Sequence, residues 1–248
     1  MKWHAIALVI LLLTSGVIAQ YDSTADEFTD DATAEPEADW IVEVEAADGL
    51  ILVGDFINLG ESRPTVLLLH QLYTTRTSWS PLVWPLAEAG FNVLVVDLRG
   101  FGDTRGAIDW MKAVEDVQVW LDWLREQPGV HPDMISTLGS SMGSSLALVG
   151  CANDARCRTA IALSPGWDYY RVETAGAFGE DFGERPVLLV YSERDRWPSL
   201  GIPRILETAT NPVELLAYPG NDHGMTLFDT YEDTLILRII DWLNQYGR

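Results

Sequence analysis

The chain has 248 residues, 48% of them apolar and ten of them tryptophan, which suits one well-buried core and excludes an intrinsically disordered protein. Thirty-seven acidic against 16 basic residues give a formal net charge of −21, so nucleic acid and anionic membrane are excluded as natural partners. Four histidines, His4, His70, His131 and His223, match no zinc-ligand spacing; no metal and no cofactor is expected.

Residues 1–19 open with one lysine, continue as an apolar run too short for a comfortable membrane span, and end in small residues with Val17 and Ala19 at peptidase-read positions. This is signal-peptide anatomy, with an uncleaved N-terminal anchor as the alternative; either way the body is expected to be exported, secreted or periplasmic. Residues 20–39 carry eight of the acidic residues and few large apolar ones, and read as a disordered acidic linker. From Trp40 onward 29 acidic residues face 15 basic ones, and 40–248 reads as one domain.

Two runs with alternating polarity, 40–46 and 50–58, meet at Asp48-Gly49 and predict an antiparallel hairpin. Continuous apolar runs follow at 65–70, 91–97, 134–139, 158–164, 186–192 and 213–219, as expected of parallel strands covered on both faces. Amphipathic stretches at 79–90, 114–127, 145–154 and 233–246 alternate with them or close the chain. The pattern predicts an α/β fold: a doubly wound, mostly parallel eight-stranded sheet with helices on both faces and an antiparallel edge. Cys151 and Cys157, with five residues between them in an exported chain, are expected to form a disulfide pinning a surface loop.

Function in such sheets gathers at the carboxyl ends of the strands, so the residues after each run matter most. Ser141 sits in Gly139-Ser-Ser-Met-Gly143, between a strand and a helix. A sharp turn there requires small neighbours two positions either side and leaves the hydroxyl at a helix head, where the dipole favours negative charge. A serine hydroxyl needs a base. His223, after the last strand, is the candidate; His70 is the rival, better placed beside an oxyanion site. The base in turn needs an acid, for which Asp195 is favoured over Glu193, Asp222 and Asp168. Backbone N–H donors for an oxyanion are expected at Met142 and at Gln71 or Leu72.

The order Ser141, Asp195, His223, the elbow GSSMG, the turn DLRGFGDT and the late DHG resemble the α/β-hydrolase superfamily over roughly Trp40 to the C-terminus. Among its branches the chain is most similar to small single-domain esterases and dienelactone-hydrolase-like members. One departure is His70-Gln71, where the family usually reads His-Gly; a side chain there would narrow the pocket, or the donor would shift to Leu72. Only about twenty residues separate the run ending at Ser164 from the next, so no cap domain is expected and the serine should lie in an open groove. Tyr73, Met142 and Trp167 occupy positions similar to the cleft of cutinase-like polyester hydrolases, and Tyr73 and Trp167 are taken as substrate-binding candidates, whereas Trp197 is expected only to pack. The resemblance implies a serine carboxylester hydrolase acting through an acyl-enzyme on small-molecule or polymeric esters: short-chain, aryl or polyester. Thioesterase, dienelactone-hydrolase-like or peptidase chemistry on the same residues, or a non-catalytic ligand-binding role, are the alternatives. Oligomeric state leaves no trace in the chain.

Overall fold

In a computed structural model the described residues are 40–178 and 181–248; the expected signal peptide (1–19) and acidic linker (20–39) lie outside them. In chain order the elements are β1 (Ile41–Glu45), β2 (Ile51–Ile57), β3 (Arg63–Leu69), α1 (Ser80–Glu88), β4 (Asn92–Val96), α2 (Trp110–Glu126) and β5 (Val130–Ser140). They continue as α3 (Met142–Ala152), β6 (Cys157–Leu163), β7 (Asp168–Tyr169), β8 (Val172–Glu173), β9 (Val187–Ser192), α4 (Arg196–Thr208), β10 (Val213–Tyr218) and α5 (Thr226–Tyr246).

Eight strands form one sheet in the order β1-β2-β4-β3-β5-β6-β9-β10. The β1–β2 and β2–β4 pairs are antiparallel and the rest are parallel, so the expected antiparallel edge is present. Five of the six continuous apolar runs sit where both faces are covered, whereas the sixth, β10, is the sheet's edge and leaves Glu214, Leu215 and Ala217 exposed, so that expectation fails there. Leu82, Leu86, Leu235, Ile239 and Leu243 of α1 and α5 pack on one face. Trp120, Leu121, Leu124 and Leu146 of α2 and α3 cover the other, continued by Ile202 and Ile205 of α4. Apolar burial at about 25 cal/mol per Å² makes these two layers the main source of stability.

Three elements were not expected. Helix α4 carries Pro198 and Pro203, which argue against a helix, yet Pro198, Gly201, Ile202 and Ile205 recur at helical spacing and bury against the sheet. The β7–β8 hairpin is only two residues per strand. Strand β5 starts at Val130, earlier than the apolar run, because its register shifts between Val130 and Ile135 and so accommodates Pro132.

Cys151 and Cys157 are joined by a disulfide between the end of α3 and the start of β6, both nearly fully buried. From this buried position it pins the short loop between them, whose Asn153, Ala155 and Arg156 are exposed, as expected. The Arg185 guanidinium donates to the carbonyls of Cys151, Asp154 and Cys157, satisfying orphan acceptors at that helix end. Among the described residues no helix is long and apolar enough to cross a membrane.

Between β6 and β9 the described residues hold only the β7–β8 hairpin and a 3₁₀ turn at Gly176–Phe178. No cap domain stands there, as expected.

Candidate active site

The turn from β5 into α3 is sharp. Ser141 lies at φ 51°, ψ −115°, a region costly for a non-glycine residue, and caps α3 from its N-terminal side. The flanking glycines are obligatory: a Cβ on Gly139 would stand 2.0 Å from the Gly143 carbonyl oxygen, and one on Gly143 2.2 Å from that of Leu69. The Ser141 N–H donates to the Leu163 carbonyl at 2.8 Å, which locks the turn to β6.

Two other strand-end loops meet this serine. The His223 Nε2 lies 2.7 Å from Ser141 Oγ, and its Nδ1 lies 2.6 Å from Asp195 Oδ2. Asp195 is 6% exposed and precedes α4, but its carboxylate makes no capping bond and faces the histidine instead. Glu193, on the same turn, is exposed, and its backbone N–H ties that turn to the Tyr218 carbonyl. The His223 loop is held from three sides: His223 N–H donates to Thr226 Oγ1, Gly224 N–H to Ser164 Oγ, and Met225 N–H to Gln71 Oε1. Ser164 is itself at φ 51°, so its hydroxyl is presented to the site by strained backbone.

His70 is not available as a base. It is fully buried, its Nε2 accepts the Leu98 N–H at 3.0 Å, and its Nδ1 therefore carries the proton donated to the Gln71 carbonyl at 2.7 Å. Burial pushes its pKa below the usual histidine value. Its work is to orient the loop after β3. Gln71 does not narrow the pocket: its carboxamide turns inward, accepting from Ser140 Oγ and the Met225 N–H. Leu72, next in line, faces the cavity. Met142 is the first helical residue of α3, so its N–H has no partner within the helix.

Asp97, Arg99 and Gly102 of the DLRGFGDT turn build scaffold rather than site. Asp97 is buried, accepts the N–H groups of Arg76 and Asp103 and pairs with the Arg76 guanidinium; a Cβ on Gly102 would strike its carboxylate at 2.1 Å.

A cavity of about 460 Å³ opens over Ser141 and His223, walled by Leu72, Met142, Asp168, Tyr169, Tyr170 and Trp197. Two expected contacts are absent from that wall. Tyr73 is 89% exposed because φ 62° at this position throws its side chain outward while Leu72 turns in. Trp167 packs against the core under α4, with the Arg204 guanidinium 4.2 Å from its ring. Trp197, expected only to pack, instead lines the cavity and is 55% exposed.

Tyr169 was not foreseen. Its hydroxyl donates to the Ser164 carbonyl at 3.2 Å and lies beside the Ser141 side chain. Burial, then the nearby Asp195 carboxylate, hold the phenol well above the ordinary tyrosine range, so it remains a neutral donor. The signal in the chain was weak, because a short hairpin contributes no periodicity.

The family model described as alpha/beta hydrolase fold matches residues 64–192. The uncharacterized protein YfhR of Salmonella typhimurium is 33% identical over 119 residues, 44% of this chain and 41% of that protein. The chain thus spans less than half the length of that relative. Among solved structures, the esterase Pf2001 of Pyrococcus furiosus superposes with a TM-score of 0.71 at 21% identity, over 84% of this chain and 92% of the other. A dienelactone hydrolase from Anabaena variabilis does so with 0.68 at 18% identity, over 84% and 100%.

Proposed function

Because this chain belongs to the alpha/beta hydrolase fold family, we propose that it is an exported serine ester hydrolase working through an acyl-enzyme at Ser141. The observation that carries this reading is the unbroken hydrogen-bond line from Ser141 through His223 to Asp195 at 2.7 and 2.6 Å.

Ser141 Oγ attacks the ester carbonyl while His223 Nε2 takes its proton; the Asp195 carboxylate fixes the imidazole tautomer and stabilises the imidazolium. The carbonyl π pair moves onto oxygen, where the N–H groups of Met142 and Leu72 hold the developing charge. Leu72 is preferred to Gln71 as that second donor because it, and not Gln71, lines the cavity over Ser141. As the carbonyl re-forms, the alcohol leaves with the proton from His223. Water, deprotonated by the same imidazole, then hydrolyses the acyl-enzyme and restores Ser141.

Short-chain and aryl esters suit the apolar wall of Leu72, Met142 and Trp197. Esterase and dienelactone hydrolase activities are those named for the two structural neighbours. Export is supported by the sequence of residues 1–19 and by the disulfide, which fits an oxidising compartment.

A fluorophosphonate probe followed by peptide mapping tests the reading. Labelling at Ser141, lost in Ser141→Ala and His223→Ala, is the expected result. A folded protein that stays unlabelled would overturn it in favour of a ligand-binding role. A panel of ester, thioester and amide substrates with matched acyl groups checks the bond cleaved, and strict preference for the thioester or amide would remove the ester assignment.

A further inference from the structure

We propose that Tyr170 and Trp110 form an aromatic shelf at the mouth of the Ser141 cavity that takes a flat aromatic ring carried by the ester substrate. The inference rests on the ester-hydrolase reading and adds to it a binding subsite with a defined ligand class.

Tyr170 lines the cavity and is 55% exposed. Its ring centroid lies 5.6 Å from that of Trp110 with the planes 35° apart. Trp110 stacks in turn on Phe101 at 6.1 Å and 30°, and Phe101 meets the buried His70 edge-on at 5.4 Å. Four rings therefore run in a row from the cavity mouth to the residue that orients the loop after β3. A row backed by a buried histidine is held in place, so the outermost ring presents a preorganised surface.

The backbone makes the same point independently. Tyr170 and Arg171, the two residues between β7 and β8, lie at φ 52° and φ 73°. A two-residue hairpin with both φ positive strongly prefers Asn-Gly, because a Cβ is disfavoured there. A turn serving only as a connection has no need of tyrosine and arginine. The strain fixes the Tyr170 ring over Trp110 at the rim of a reactive cavity, and strained backbone of this kind collects at ligand-contacting sites.

The cavity's chemistry selects what the shelf accepts. Among the described residues no lysine or arginine lines it, and Asp168 stands in its wall. A carboxylate or phosphate beside the scissile bond would meet a negative charge with no cation to answer it. A neutral aromatic ring loses nothing there and gains offset or edge contacts with Tyr170, worth about a two- to ten-fold preference over a saturated ring of the same size.

The test uses ester pairs that differ only in aromaticity: methyl 3-phenylpropanoate against methyl 3-cyclohexylpropanoate, and benzyl acetate against cyclohexylmethyl acetate. The full chain should favour the phenyl member of at least one pair in kcat/KM by about two- to ten-fold. Trp110→Leu and Tyr170→Leu should each bring that ratio close to one. Met111→Ala, a change at a 58% exposed residue on the same helix, should keep it. A wild-type ratio near one in both pairs, or a ratio that survives both leucine variants, overturns the shelf.

Binding of 3-phenylpropan-1-ol and 3-cyclohexylpropan-1-ol by calorimetry separates the two levels of inference. Without ester turnover or fluorophosphonate labelling, the hydrolase reading fails. The shelf then stands if the phenyl alcohol binds more tightly and Trp110→Leu erases the difference; it falls if the two alcohols bind alike.

Discussion

Replacing Gln71 with alanine tests whether one carboxamide holds three loops together. Gln71 Oε1 accepts from Ser140 Oγ at 3.1 Å, at the end of β5, and from the Met225 N–H at 3.0 Å, beside His223. Ser140 is fully buried, so its hydroxyl cannot simply turn to solvent. A buried donor left without a partner costs about 1–3 kcal/mol, and less where water takes the acceptor's place. With two donors affected, Gln71→Ala should lower stability by about 3 kcal/mol. At about 2–4 °C per kcal/mol this moves Tm down by about 6–12 °C. Urea unfolding followed by tryptophan fluorescence measures it, with the m-value unchanged. The fluorophosphonate labelling rate should fall as well, because the His223 loop loses an anchor. Gly224→Ala supplies the cross-check: its Cβ would stand 2.2 Å from Gln71 Oε1, so the double variant should cost less than the sum of the two single ones. A loss under about 0.5 kcal/mol in Gln71→Ala, or strict additivity of the pair, would refute the clamp.

Three further predictions follow from the same geometry. Burial depresses the pKa of His70 below its ordinary 6.5, so between the two values the unfolded chain binds the extra proton. Its contribution to stability is complete above pH 6.5 and is lost as pH falls toward the depressed folded-state value, with a slope approaching about 1.4 kcal/mol per pH unit. Urea midpoints from pH 7.5 down to about pH 5 should show this slope reduced in His70→Gln, and identical slopes would sink the assignment of a neutral buried imidazole. Tyr169→Phe removes a neutral donor beside Ser141 and should lower kcat about three- to ten-fold with little change in KM, an effect of one ordinary hydrogen bond; a pure KM effect would make Tyr169 a binding residue instead. Reducing the Cys151–Cys157 bridge reopens a loop of sequence separation 6 and should destabilise the chain by about 2 kcal/mol, read from urea curves with and without reductant. An unchanged midpoint would mean that the surrounding core and Arg185 hold that corner without the bond.

The α/β architecture could be read directly from the chain because both signals that encode it are local. Runs such as Val66–Leu69 and Val187–Val190 must be apolar throughout when helices cover both faces, and Gly139 and Gly143 are required by a turn with no room for a Cβ. That Ser141, Asp195 and His223 would come together was legible for the related reason that strand ends of a parallel sheet collect on one side, so order and position after each strand suffice. Which groups wall the cavity was not legible. That depends on φ at single residues: 62° at Tyr73 sends an expected contact into solvent, and 52° at Tyr170 carries an unremarked ring to the rim. Helix α4 decides the rest, turning Trp197 toward the cavity and covering Trp167, although its two prolines argue against a helix. Local patterning specifies which elements form and where the loops emerge. The direction a loop side chain takes is settled by long-range packing and backbone strain, which leave no period in the sequence.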